Sequence, residues 1–209
     1  MLSVGLGVNI VVAALLGQLN NLWLADPTSS ARLLDSLLYG AIVGSGVGLA
    51  LLSAPPSARR TRDAVITALA AAAAGALLST LVSSIGAALN AKGGTTAGLG
   101  LQLVGCVAFG AAVALATGAV SRFGLTAAPE GRAGCCSMML GGAIGGFLVW
   151  LVVNALRGVL SLSTFAYWET STDNSLARVL ADGLGAGLPT LIIAAAVVVT
   201  EAGYLAWRS

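Results

Sequence analysis

Histidine is absent from this 209-residue chain. Its absence removes the commonest general base, the usual axial ligand of haem and the usual nitrogen ligand of zinc. Charge is nearly as scarce: acids and bases together make up 9% of the residues, against about a quarter in an ordinary soluble domain. A net charge of +2, with no basic block interleaved with aromatics, excludes a nucleic-acid partner on electrostatic grounds. The three cysteines, Cys106, Cys135 and Cys136, form neither a disulfide framework nor a CxxC metal pattern. No phosphate-binding loop, dinucleotide fingerprint or GxSxG elbow occurs. Aspartyl chemistry would need two facing carboxylates with a supporting motif, and none is evident. The expectation is a protein without a cofactor or metal and without enzymatic activity.

What remains is apolar. Hydrophobic residues make up 57% of the chain, and the mean hydropathy is +0.95. One water-soluble domain of this size could not hide so much apolar surface. A bilayer removes the difficulty, since its core is itself apolar. A spanning helix needs about 20 apolar residues, and six such stretches are expected: 2–24, 33–52, 64–89, 99–120, 138–160 and 180–207. Turn-forming residues separate them, among them Asp26-Pro27, Pro55-Pro56-Ser57, Lys92-Gly93-Gly94 and Pro129-Glu130-Gly131. The longest break, 161–175, holds Phe165, Tyr167 and Trp168. Outer-membrane strands would alternate apolar and polar residues, whereas segments such as 68–78 are apolar without alternation and rich in alanine. The expected fold is therefore all-α: a polytopic transmembrane helix bundle forming a single membrane domain over 1–209.

Six spans place Arg59, Arg60, Arg62, Arg122, Arg132 and Arg208 on one side, and Arg32, Lys92, Arg157 and Arg178 on the other. The positive-inside bias then favours cytoplasmic N- and C-termini, with Trp168 on the outer face. A bacterial inner membrane is the expected location. No charged leader precedes the first apolar run, so that run is expected to stay in the protein, unless this is the membrane domain of a longer chain.

The clearest pattern is a set of small residues at helical spacing. Gly40, Gly44 and Gly48 recur every four residues, as do Ala71, Gly75, Ser79, Ser83 and Ala87. Cys106, Gly110, Ala114 and Gly118 continue the theme. Gly141, Gly142, Gly145 and Gly146 form two overlapping series, and Gly183 and Gly187 begin the last stretch. Residues four apart share a helix face. In lipid, where helices gain nothing from hiding apolar surface, such stripes let backbones approach closely. They point to a packed bundle or a homo-oligomer, or to association with other membrane proteins, ahead of a glycine-lined pore.

Polar residues within the apolar stretches are the functional candidates. Asp35 follows Arg32, and Asp182 follows Arg178, each pair near the start of a span. They read either as interfacial arginines with helix-capping acids or as carboxylates at an outer cation vestibule. Asn154 and Arg157 lie three apart at the end of the fifth span. Arg157 either snorkels to the headgroups or faces the bundle, where it needs an acidic partner. Pro189 interrupts the last span after Gly183-Leu184-Gly185-Ala186-Gly187. It marks a packing kink or a transporter-type broken helix.

The run Ala31-Arg32-Leu33-Leu34 leading into Gly40-Ala41-Ile42-Val43-Gly44, with Met138-Met139-Leu140-Gly141-Gly142-Ala143-Ile144-Gly145-Gly146, resembles the glycine-zipper multi-pass membrane segments of bacterial proteins that carry FHA or von Willebrand A-type modules. The resemblance covers the spacing of most of the chain but includes no soluble module. It implies a membrane-anchoring segment and assigns no functional residue. From the composition and stripes together, a structural, assembly or anchoring component of a membrane complex is expected. The alternative is a small ion channel or transporter using Asp35, Asn154, Arg157 and Asp182.

Overall fold

The computed structural model describes residues 29–51, 58–90, 95–123, 131–159 and 175–208. They form five helices: α1 (Ser29–Ala50), α2 (Ala58–Asn90), α3 (Thr95–Phe123), α4 (Gly131–Val159) and α5 (Ser175–Arg208). No strand occurs among the described residues. Only a helix bonds every backbone amide within its own segment, as an apolar solvent demands. The alanine-rich middle of α2 also carries the highest intrinsic helix propensity.

Four of the five helices are long enough and apolar enough to cross a membrane, over Ala64–Gly86, Leu99–Val120, Cys136–Ala155 and Gly185–Tyr204. These correspond to the third to sixth expected spans. In α1 the apolar stretch among the described side chains is Ser36–Ala50, and Arg32 and Asp35 lie in its early turns. The first expected span, 2–24, lies outside the described residues. The longest helices have 33 and 34 residues, about 50 Å at 1.5 Å per residue. That exceeds the roughly 30 Å hydrocarbon core, so their charged ends extend past it.

The helices form a closed ring. Each packs on its neighbour in the chain, and α5 returns to α1. Burial is inverted relative to a water-soluble protein. The large apolar side chains face outward, with Leu77 74% and Val104 64% exposed, while the interior is built from smaller ones. Ile42, Val43, Val47, Ala71, Val113, Ala114, Met138, Val149, Ala186, Ile193 and Val197 form its core. An outer belt of leucine and valine costs nothing in hydrocarbon but would be a continuous apolar patch in water. These features describe an integral membrane helix bundle.

Two hydroxyl groups inside this core bond back one turn along their own helices. Thr117 donates to the Val113 carbonyl at 2.8 Å, and Thr190 to the Ala186 carbonyl at 2.9 Å. Such a bond satisfies the hydroxyl donor within an apolar interior.

Candidate functional site

The helix joints are made at the level of the backbone. Gly40 of α1 and Gly75 of α2 face each other so closely that a Cβ on either would meet the other's carbonyl oxygen. One turn on, a Cβ at Gly44 would strike the Ala71 carbonyl, and one at Gly48 would lie 3.1 Å from the Ala71 Cβ. The stripes 40/44/48 and 71/75/79 thus meet along α1 and α2.

Helix α4 uses its two series on two different neighbours. Gly142 opposes the Gly110 carbonyl, and Gly146 the Cys106 carbonyl, both on α3. Gly141 and Gly145 instead face α5, where an added Cβ would lie 2.7 Å from the Cα atoms of Val197 and Ile193 respectively. Consecutive residues on a helix are turned by about 100°, so the paired glycines of Gly141-Gly142 and Gly145-Gly146 fit one helix between two others. Close carbonyl-to-Cα approaches of this kind also allow weak Cα–H···O contacts. Gly118 and Gly187 are buried, and Gly183 lies on α5 with its surroundings outside the described set.

A second feature lies in the half of the ring where α1 and α5 begin. Proline has no N–H, so Pro189 leaves the carbonyl of Gly185, four residues earlier, without its helical donor. The Tyr39 hydroxyl of α1 donates to that carbonyl at 3.2 Å. A side chain from the neighbouring helix thus closes the gap that the proline opens, as a low-dielectric surrounding requires. Nearby, Ser36 of α1 and Ser83 of α2 share a hydrogen bond of 2.6 Å.

Beside these contacts is a cavity of about 260 Å³, bounded by all five helices. Tyr39, Gln102, Phe109, Trp150, Asn154 and Pro189 contribute to its wall. Asn154 donates from Nδ2 to the Trp150 carbonyl at 2.8 Å, one turn back along α4. Trp150 also stacks on Phe147, with ring centroids 6.3 Å apart and planes 24° apart. Its indole Nε1 is buried and has no hydrogen-bond partner among the described residues. A buried donor left unpaired costs about 1–3 kcal/mol.

Of the four polar candidates, the structure assigns a surrounding to Asn154 alone. Asp35 lies in the early turns of α1, Arg157 in the last turn of α4 and Asp182 in the early turns of α5. The alternation of antiparallel helices brings those turns to one end of the ring, the end nearer the cavity. The contacts of these three side chains lie outside the described set, as does the loop 160–174. Among the described residues no group of three metal-ligating side chains converges.

Sequence reasoning missed Tyr39, Gln102 and Trp150 as wall residues, and Gly105, which faces Val82. An available signal was the i, i+4 relation of Pro189 to Gly185, which announces a free carbonyl though not its donor. No family model matches the chain, and no curated protein or solved structure matches it either.

Proposed function

We propose that this protein is a structural or anchoring component of a membrane complex, in a six-span layout with both termini in the cytoplasm. The observation that carries this reading is the set of backbone-level joints within the ring: α1 on α2, α3 on α4 and α4 on α5. Joints in which each glycine is backed by a neighbour's main chain hold helices at fixed spacing, as a scaffold needs. The stripes are engaged within the chain. On this reading, contacts with a second copy or another membrane protein therefore use the outward faces, in exchange for lipid. The resemblance to membrane segments of FHA- and von Willebrand A-bearing proteins agrees with an anchoring role.

A second reading, a small channel or transporter, draws on one observation. The cavity lies beside Pro189 of α5, and proline within a spanning helix often marks a solute site in transporters. Reconstitution into liposomes separates the two. The anchoring reading expects no protein-dependent ion or solute flux, and flux that disappears in Asp35→Asn and Asp182→Asn overturns it. The layout is tested with single cysteines in a cysteine-free background. An impermeant thiol reagent applied to intact cells should label Thr170→Cys and spare Ser57→Cys, and the reverse pattern rejects it.

A further inference from the structure

We propose that the cavity between the five helices binds a small neutral molecule with an apolar body and a primary-amide or urea head, the head being received by the side chain of Gln102. This goes beyond the anchoring reading and does not depend on it, nor on whether the ligand crosses the membrane.

Gln102 lies inside the Leu99–Val120 span of α3 and on the wall of the cavity. Positions 102, 106, 109 and 113 share one face of a helix. On α3 that face is the inner one, since Val113 is fully buried and Phe109 packs on the core. Gln102 is nevertheless exposed, as is Tyr39 of α1. Both residues border the cavity, which leaves their polar ends within reach of an occupant. Among the described residues the Gln102 amide has no hydrogen-bond partner. An unpaired amide in an apolar span is costly, and an accessible one gains from a partner that enters the cavity.

The head group follows from the amide. It presents a carbonyl oxygen and N–H groups side by side. A primary amide or a urea answers both at once, whereas a ketone or ether answers only the N–H. Asn154, in the same wall, spends one amide hydrogen on the Trp150 carbonyl and retains a second. Charge and size set the other limits. Among the described residues, no aspartate, glutamate, lysine or arginine lines the cavity, so an ion would lose its hydration without gaining a counter-charge. A cavity of about 150 Å³ accommodates benzene, so about 260 Å³ has room for about ten non-hydrogen atoms on the same scale. The apolar body meets Val43, Phe109, Val149 and Ile193.

The test uses the full-length protein in lipid nanodiscs with 15N-labelled glutamine, and benzamide, acetophenone and benzoate as probes. The three are alike in shape and differ in the group beside the carbonyl. The chain has two glutamines, Gln18 and Gln102, so Gln18→Leu leaves the Gln102 side-chain signal alone. Benzamide should bind saturably and move that signal. Gln102→Leu should weaken benzamide more than acetophenone, shifting the ratio of their affinities by about fivefold, the worth of the one hydrogen bond by which they differ. Taking the ratio removes their unequal hydrophobicity. The signal measurement does not depend on Gln102→Leu being folded. An unchanged ratio in a variant with unaltered helical circular dichroism overturns the proposal. So does a Gln102 signal that stays in place at saturating benzamide, or the absence of saturable benzamide binding. Benzoate that binds as tightly as benzamide would overturn the neutral-ligand assignment.

Discussion

Gly142→Ala on α4 tests the close-packed joints most directly. The added methyl would meet the Gly110 carbonyl oxygen and lie 2.6 Å from the Ala114 Cβ and 2.8 Å from the Gly110 carbonyl carbon. These atoms belong to, or are fixed to, the α3 backbone, so no rotamer change relieves the overlap. Helix α4 cannot simply back away, because Gly141 and Gly145 hold its other side against Val197 and Ile193 of α5. The methyl therefore either spreads two joints or strains one, an overpacking cost of about 1–3 kcal/mol. Alanine in place of glycine within a helix returns about 0.5–1 kcal/mol. The balance is a net loss of up to about 2.5 kcal/mol. At about 2–4 °C per kcal/mol for a chain of this size, the unfolding midpoint in mild detergent falls by up to about 10 °C. Gly203→Ala is the matched control. Gly203 lies in a helix, is exposed, and among the described residues nothing beyond its own stretch of helix comes within 4 Å of an added Cβ, so only the propensity gain remains and the midpoint should hold or rise slightly. Midpoints are read by loss of helical circular dichroism, with all variants in the same detergent. Equal midpoints for Gly142→Ala and Gly203→Ala would refute the claim that α3 and α4 touch through their backbones.

Three further outcomes are expected. Tyr39→Phe removes the donor to the carbonyl freed by Pro189 and should cost about 0.5–1.5 kcal/mol; in a Pro189→Ala background, where a helical N–H returns, it should cost clearly less. A double-mutant cycle on unfolding free energies measures that difference, and full additivity contradicts the pairing. Leu77→Asp puts a carboxylate at a position 74% exposed near the middle of the Ala64–Gly86 span, which should raise the insertion cost by about 3 kcal/mol. Insertion is scored with a glycosylation-site reporter, and unchanged insertion argues against that face meeting lipid. Ser83→Ala should lower stability by about 0.5–1.5 kcal/mol by removing the bond to Ser36, and should cost clearly less in a Ser36→Ala background. Equal and additive losses would mean that the two hydroxyls do not depend on each other.

The membrane-spanning segments were legible in the sequence because the signal for them is additive. A hydropathy average over about 20 residues needs no knowledge of neighbours, and the four described spans fall where apolar runs predicted them. Periodicity also indicated which faces are made of small residues. It did not reveal what each face meets, because spacing along one helix carries no information about the helix opposite. That the series 141/145 and 142/146 engage different neighbours required the packing of α4 between α3 and α5.

The candidate site divides in the same way. Asn154 stood out as a polar residue in an apolar run, since burying an amide is costly wherever it occurs. Tyr39 and Trp150 did not, because near a membrane boundary both suit an interface equally well. Composition and periodicity by themselves determined an all-helical membrane bundle with glycine-rich faces and few charges, since solvent preference and helical repeat are properties of a single segment. Only the tertiary structure decided that α5 returns to α1, that Tyr39 covers the Pro189 gap and that Trp150 has an unpaired donor beside a cavity. Those outcomes depend on side chains more than a hundred residues apart meeting across helices, a relation set by packing and not by any one stretch of chain.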